Sequence, residues 1–254
     1  MAFDFEVYMG SVVVLYKGGR LPSWEQLPAA EQGAVSREHV DLMLDVAREH
    51  GLQRLEGFKL VGSHKDWQRF WLIEFPTIQG AEAWIEAEMA PPYGLYGYYE
   101  YFLSRRCAAE YFNTWVHQPM PLPVPRAADP HEIPQLWEDR SSVILLLFGR
   151  WRPGAEVLDP QVRGDAEHEA LMQRVAREQG LGRLEVFQLI DRQGAWHRVL
   201  VMEFPTFEAA EIFIDAEVKP PHGLYSEKSF YLARKWCPEY FASWISPTSS
   251  GCTG

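Results

Sequence analysis

No stretch of this sequence names a reaction. It lacks G-x-S-x-G, the phosphate-cradling P-loop and G-x-G-x-x-G, so the serine-hydrolase, nucleotide and dinucleotide signatures are missing. It lacks H-E-x-x-H, C-x-x-C and any carboxylate-rich ligand spacing, so no metal site is expected. Basic charge is scarce: 24 Lys and Arg stand against 35 Asp and Glu, for a net charge of −11. That balance argues against nucleic acid, whose phosphates need a clustered cationic surface, and against an anionic membrane surface. No apolar run is long enough to span a bilayer. The opening "MAFDFEVYMGSVVVLYKGG" lacks the basic start and cleavage site of a signal peptide. Cysteine is scarce too, with Cys107, Cys237 and Cys252, and an odd count without close pairs fits a reducing compartment. A cytoplasmic, disulfide-free protein is the expectation.

What the chain does hold is aromatic residues and a repeat. Aromatics make up 14 %, with 10 Trp, and so much ring surface must be buried in a core, an interface or a cavity. "EFPTIQGAEAWIEAEMAPPYGLY" at 74–96 returns as "EFPTFEAAEIFIDAEVKPPHGLY" at 203–225. Sliding the chain against itself by 129 residues aligns His39 with His168 and runs to Val116 and Ile245 without a gap. Roughly 36 of 78 positions are identical, and a period this long with two copies means a duplicated domain.

Each copy parses by its hydrophobic period. "SVVVLYKG" and "SVILLLFG" are β-branched apolar runs and read as strands. Residues 36–51 read as an amphipathic helix capped by Ser36 and closed by Gly51, and residues 165–180 repeat it with Asp165 as the cap. "RLEGFKLVG" and "WQRFWLIEF" read as a hairpin about "SHKD". Thr77 and Thr206 cap a second helix, which the Pro pairs at 91–92 and 220–221 stop. A last strand and a short aromatic helix follow. The order is β-α-β-β-α-β, the ferredoxin-like unit. The expected organisation is a ferredoxin-like repeat at 1–117, a Pro-rich linker at 118–139, a second repeat at 140–246 and a flexible tail at 247–254.

Two such units in one chain resemble the dimeric α+β barrel superfamily, which includes antibiotic-biosynthesis monooxygenase-like, stress-responsive barrel, EthD-like and chlorite-dismutase-like proteins. The resemblance implies an α+β fold, with two tandem ferredoxin-like units packed sheet-to-sheet as an intramolecular barrel, a monomer by pseudo-dimerisation, and a pocket between the sheets. Its haem-binding members use a proximal histidine. That residue matches no position read from this sequence, and no cofactor is expected.

Candidate site residues come from two patterns. On the second strand Arg54, Glu56, Phe58 and Leu60 match Arg183, Glu185, Phe187 and Leu189, while the residues between them changed. Period two puts the kept set on one face. A tight hairpin then places Glu74 nearly opposite Glu56, and Glu203 nearly opposite Glu185. Such pairs need a basic partner, a shared proton or solvent, and they read either as an acidic ligand site or as a salt-bridge cluster at the sheet end. The second pattern is divergence. Tyr98 and Tyr99 become Glu227 and Lys228, Tyr93 becomes His222, and the loops bearing Trp24 and Trp151 differ. These aromatics line a binding rim or fill a core. His39 and His168 occupy matched helix positions, which suit surface or capping roles, with a general-base option.

Three functions follow as expectations. One is a non-catalytic barrel protein that binds a peptide or an aromatic small molecule through Trp24, Tyr98, Tyr99, Trp151, His222 and the four glutamates, as an accessory to natural-product biosynthesis and its other pathway proteins. A second is a cofactor-independent enzyme, a monooxygenase or cyclase, acting on an aromatic or polyketide-like substrate. The third is a purely structural duplicated domain.

Overall fold

A computed structural model describes residues 6–62, 67–116, 138–190, 196–238 and 241. The 63–66 turn, the linker up to residue 137 and the 247–254 tail lie outside the described residues. Two compact units emerge. The first comprises residues 9–104, 138–139, 234–238 and 241, and the second 6–8, 105–116, 140–190 and 196–233.

The first unit runs β1 (Val12–Arg20), α1 (Pro22–Glu25), α2 (Ala29–His50), β2 (Arg54–Leu60), β3 (Arg69–Phe75), α3 (Ile78–Glu88) and β4 (Gly97–Cys107). Its strands are antiparallel in the order β4-β1-β3-β2. After α4 (Ala109–Asn113), the second unit runs β5 (Asp139–Trp151), α5 (Pro160–Arg163), α6 (Asp165–Glu178), β6 (Arg183–Leu189), β7 (Arg198–Phe204), α7 (Phe207–Glu217), α8 (His222–Tyr225) and β8 (Ser226–Lys235). Its order is β8-β5-β7-β6. The chain is therefore a mixed α+β fold of ferredoxin type with antiparallel strands. Among the described residues, no helix is long and apolar enough to cross a membrane.

The helices cover one face of each sheet. In the first unit Val12, Val14 and Tyr16 of β1 meet Val40, Met43 and Ala47 of α2 and Trp84 of α3. In the second, Val143, Leu145 and Leu147 meet Met172, Val175, Ala176 and Phe213. Burying a side chain of this size contributes about 1.5–3 kcal/mol, so these two layers hold the fold.

The first long helix corrects one expectation. Ser36 is not its cap, because α2 begins seven residues earlier, after Pro28. Ala29, Ala30, Glu31 and Gln32 are good helix formers and extend it. In the second unit the cap is Gly164, and Asp165 stands inside the first turn of α6. Thr77 and Thr206 do cap, accepting from the amides of Gly80 at 3.3 Å and Ala209 at 3.1 Å. Thr206→Ala is expected to cost about 1 kcal/mol in urea denaturation, because the first turn of α7 loses an acceptor.

The hairpin register shifts the acidic pairs by two residues. Arg54, not Glu56, stands opposite Glu74, and Arg183 stands opposite Glu203. Glu56 and Glu185 face Leu72 and Val201. Like charges thus lie diagonally, with an arginine directly across.

Candidate functional site

The second unit holds a partly open cavity of about 430 Å³. It lies on the helix-covered face of the sheet, not between sheets as the resemblance implied. Strand period puts Leu147, Gly149 and Trp151 on one face of β5, with Leu184, Val186, Gln188 and Leu200 beside them. The helix wall comes from Asp165, His168, Glu169 and Met172 of α6, spaced i, i+3, i+4 and i+7, and from Phe213 and Glu217 of α7. Tyr111, Phe112 and Trp115 close one side, His222 and Lys228 another.

The first unit shows why the space exists. There the same place holds only about 10 Å³. Tyr16 pairs with Trp71 across β1 and β3, where the second unit pairs Leu147 with Leu200. The 129-residue shift also sets Trp84 against Phe213 and Tyr99 against Lys228. Tyr16 stacks on Tyr99 and Tyr101, with centroids 5.8 and 4.8 Å apart. Large rings plug one copy, and smaller side chains open the other.

Four ionisable side chains meet at one end of the cavity. His168 Nε2 lies 3.2 Å from Glu217 Oε2, and Lys228 Nζ lies 2.8 Å from Glu217 Oε1. Lys228 also donates to the Glu217 carbonyl at 2.7 Å, at the C-terminal end of α7, where the helix dipole favours a cation. Burial alone would raise the Glu217 carboxyl, but Lys228 and His168 outweigh it and hold the group at about 2. His222 stacks on His168 with centroids 3.8 Å apart, and Trp151 meets it edge-on at 5.2 Å. Burial first, then the neighbouring His168 and Lys228, push His222 down to about 3. Its imidazole is therefore neutral at any ordinary pH. Its Nδ1 is buried and has no hydrogen-bond partner among the described residues.

The first unit keeps half of this arrangement. His39 Nε2 lies 3.1 Å from Glu88, and Tyr93 stacks on His39 at 3.6 Å where the second unit has His222. Arg20 sits between the rings of Trp24 and Tyr93, at 3.9 and 4.0 Å.

Of the residues singled out from sequence, Trp151 and His222 line the cavity. Trp24 is buried in the first unit against Tyr93 and Tyr96. The Tyr98 hydroxyl donates to Glu100 at 3.1 Å, and the Tyr99 hydroxyl to the Tyr93 carbonyl at 3.4 Å. Glu56 is buried and held by Arg54 at 2.8 Å, and Glu74 accepts from Ser11 at 2.5 Å. Glu185 lies between Arg183 and Arg106, at 2.5 and 2.6 Å. Glu203 is half-buried opposite Arg183. None of these seven lines the cavity. Sequence reasoning did not single out Glu217, Lys228, Tyr111 or Glu169 as a site, and it gave His168 a surface or capping role with a general-base option. A large ring in one copy facing an aliphatic residue in the other was the signal available.

No family model matches the chain, and no curated protein matches its sequence. Solved structures do match. An arginine-to-lysine variant of chlorite dismutase from Candidatus Nitrospira defluvii superposes with TM-score 0.63 at 9 % identity, over 92 % of this chain and 94 % of that one. A tryptophan-to-tyrosine, arginine-to-glutamine double variant gives 0.65 at 10 %, over 93 % and 96 %. The complex of that enzyme with imidazole gives 0.62 at 11 %, over 93 % and 96 %. At such identities the likeness shows the fold. It is to chlorite-dismutase-like proteins, and by itself it does not bear out the monooxygenase-like or EthD-like resemblance. The expectation of a non-catalytic peptide- or aromatic-binding accessory protein is corrected, because these neighbours are enzymes and nothing among them points to natural-product biosynthesis. The enzyme alternative fits them better, but its cofactor independence has no support from them.

Proposed function

We propose that the chain is an oxidoreductase whose reaction takes place in the cavity of its second unit, with haem held there by His168. One observation carries the reading: among the described residues, the second copy opens a cavity of about 430 Å³ around its histidine–glutamate pair, where the first copy has about 10 Å³. A metal-ligating histidine characteristically gives its other ring nitrogen to a carboxylate, which fixes the ring and strengthens it as a donor. His168 has that partner in Glu217, and Lys228 keeps the carboxylate ionised. His222, neutral and with an unbonded Nδ1, is the second imidazole suited to such a group. The largely apolar surface of the cavity suits a flat macrocycle. Haem would supply one-electron and oxygen-transfer chemistry here. The neighbours are named for chlorite, so chlorite is the first substrate to try. The same reading includes a tandem duplication of one ferredoxin-like unit, with one copy filled and the other functional.

The test is titration of the purified protein with hemin, followed by absorbance. One equivalent is expected to bind. His168→Ala is expected to weaken binding at least about tenfold, while His39→Gln, in the plugged copy, leaves it unchanged. A folded wild type that takes up no hemin overturns the haem reading. Turnover of an aromatic substrate by that hemin-free protein would then favour a cofactor-free enzyme in the same cavity.

A further inference from the structure

We propose that Glu169, held by Tyr111 and Gln173, makes the cavity selective for an aromatic molecule that carries a hydrogen-bond donor, a phenol or an aromatic amine. This deepens the preceding reading and rests on it only in taking the cavity as the site.

The two copies differ on this wall of the cavity. Glu169 and Gln173 stand on α6 where the first copy has Val40 and Leu44. Two apolar positions of the plugged copy are thus polar in the open one. Placing polar groups against an apolar wall is unfavourable unless they are hydrogen-bonded, and here they are. The Tyr111 hydroxyl donates to Glu169 Oε1. Gln173 Nε2 donates to the same oxygen at 3.3 Å and to the Tyr111 hydroxyl at 3.4 Å. Both donors therefore converge on one carboxylate oxygen. Oε2 takes no hydrogen bond from any of the described residues.

A carboxylate is an acceptor only. With one oxygen fixed by two donors, the other is left to a donor from the ligand. Burial first, then the bond to Glu169, push the Tyr111 phenol up to about 12, so it remains a donor throughout the working range. The rings beside this group set the rest of the ligand. Phe112 and Trp115 stand edge-on to Tyr111, with centroids 5.0 and 5.9 Å away, and Met172 lines the same wall. Edge-on and soft apolar contacts suit a flat ring. A carboxylate-bearing ligand would meet like charge at Glu169, and an ether has no proton to offer.

The experiment is calorimetric titration of the full chain with p-cresol and with 4-methylanisole, the same ring with its donor methylated. The wild type is expected to bind p-cresol about tenfold or more tightly than the ether, as for a hydrogen bond to a charged group. Glu169→Val, which installs the first copy's residue, is expected to bring the two affinities within about twofold by removing that hydrogen bond, with affinity for the ether unchanged. Glu169→Gln keeps the shape and is expected to narrow the ratio, which guards against a folding defect in the first variant. A wild type that binds neither probe, or both equally, overturns the inference, as does a ratio that survives Glu169→Val. Hemin titration of the same variants separates the two claims. Hemin uptake without cresol selectivity sinks this inference alone, and cresol selectivity without hemin uptake sinks the haem reading alone.

Discussion

Leu147→Tyr combined with Leu200→Trp and Val186→Gly is expected to abolish binding in the cavity while the second unit stays folded. The first unit is the precedent. Tyr16 and Trp71 face each other there in the register that Leu147 and Leu200 keep in the second, and the space shrinks from about 430 to about 10 Å³. The glycine is part of the prediction. Gly57 stands opposite Trp71 as Val186 stands opposite Leu200. A Cβ added at Gly57 would come within 2.5 Å of the Trp236 carbonyl oxygen and 2.9 Å of the Trp71 ring, so both the backbone and the indole there need a bare neighbour. The double variant that keeps Val186 is therefore overpacked and expected to lose about 1–3 kcal/mol relative to the triple. The triple gains ring burial and gives back about 0.5–1 kcal/mol for a glycine inside a strand. Hemin and p-cresol affinities should both fall more than about 100-fold in the triple variant, as when a pocket is filled outright. A folded triple variant that binds either as before places the site elsewhere.

The same comparison explains what could be read from the sequence. Element order followed from period, caps and proline stops, because those are local. Thr77 and Thr206 were legible as caps from a single position each. The site was not, because the eye follows what duplication kept. Arg54, Glu56 and Phe58 recur as Arg183, Glu185 and Phe187, and the structure buries them as ion pairs and core on the face away from the helices. The cavity lies on the other face, where Gly57 became Val186, Trp71 became Leu200 and Tyr99 became Lys228. Loss of ring volume makes a hole only if nothing else moves in, and sequence period does not report that. Tyr111 was harder still. It follows β4 of the first copy, yet it lines the second unit's cavity against α6, and only topology brings these segments together. His222 and Trp151 stood out because they diverged, and they line the cavity; Trp24 stood out for the same reason, and its ring is buried against Tyr93 and Tyr96.

Acid should lower this protein's stability through two overlapping windows, and one substitution should remove the first. In the absence of hemin, His222 titrates at about 3, against an ordinary 6.5. Below pH 6.5 the unfolded chain takes up a proton that the folded chain refuses. The stability tied to neutral His222 is therefore complete above pH 6.5 and drains away as pH falls toward 3. Glu217, held at about 2 against 4.5, acts in the same direction but later. Its contribution is complete above pH 4.5 and is lost as pH falls toward 2. Between pH 6.5 and 4.5, then, His222 acts alone of the two. Each pH unit is worth up to about 1.4 kcal/mol. The ring is partly exposed, and His168, Lys228, Glu217 and Asp165 all act on it, so a loss of about 2 kcal/mol across that window is the sound expectation after screening. His222→Tyr installs the first copy's residue, whose ring stacks on His39 at 3.6 Å, and carries no group that titrates there. Urea denaturation at pH 7, 5.5 and 4.5 measures both proteins. The wild type should lose that stability over the window, and the variant's curve should be flatter by the same amount. Parallel curves would mean that the buried imidazole is not what makes the fold acid-sensitive.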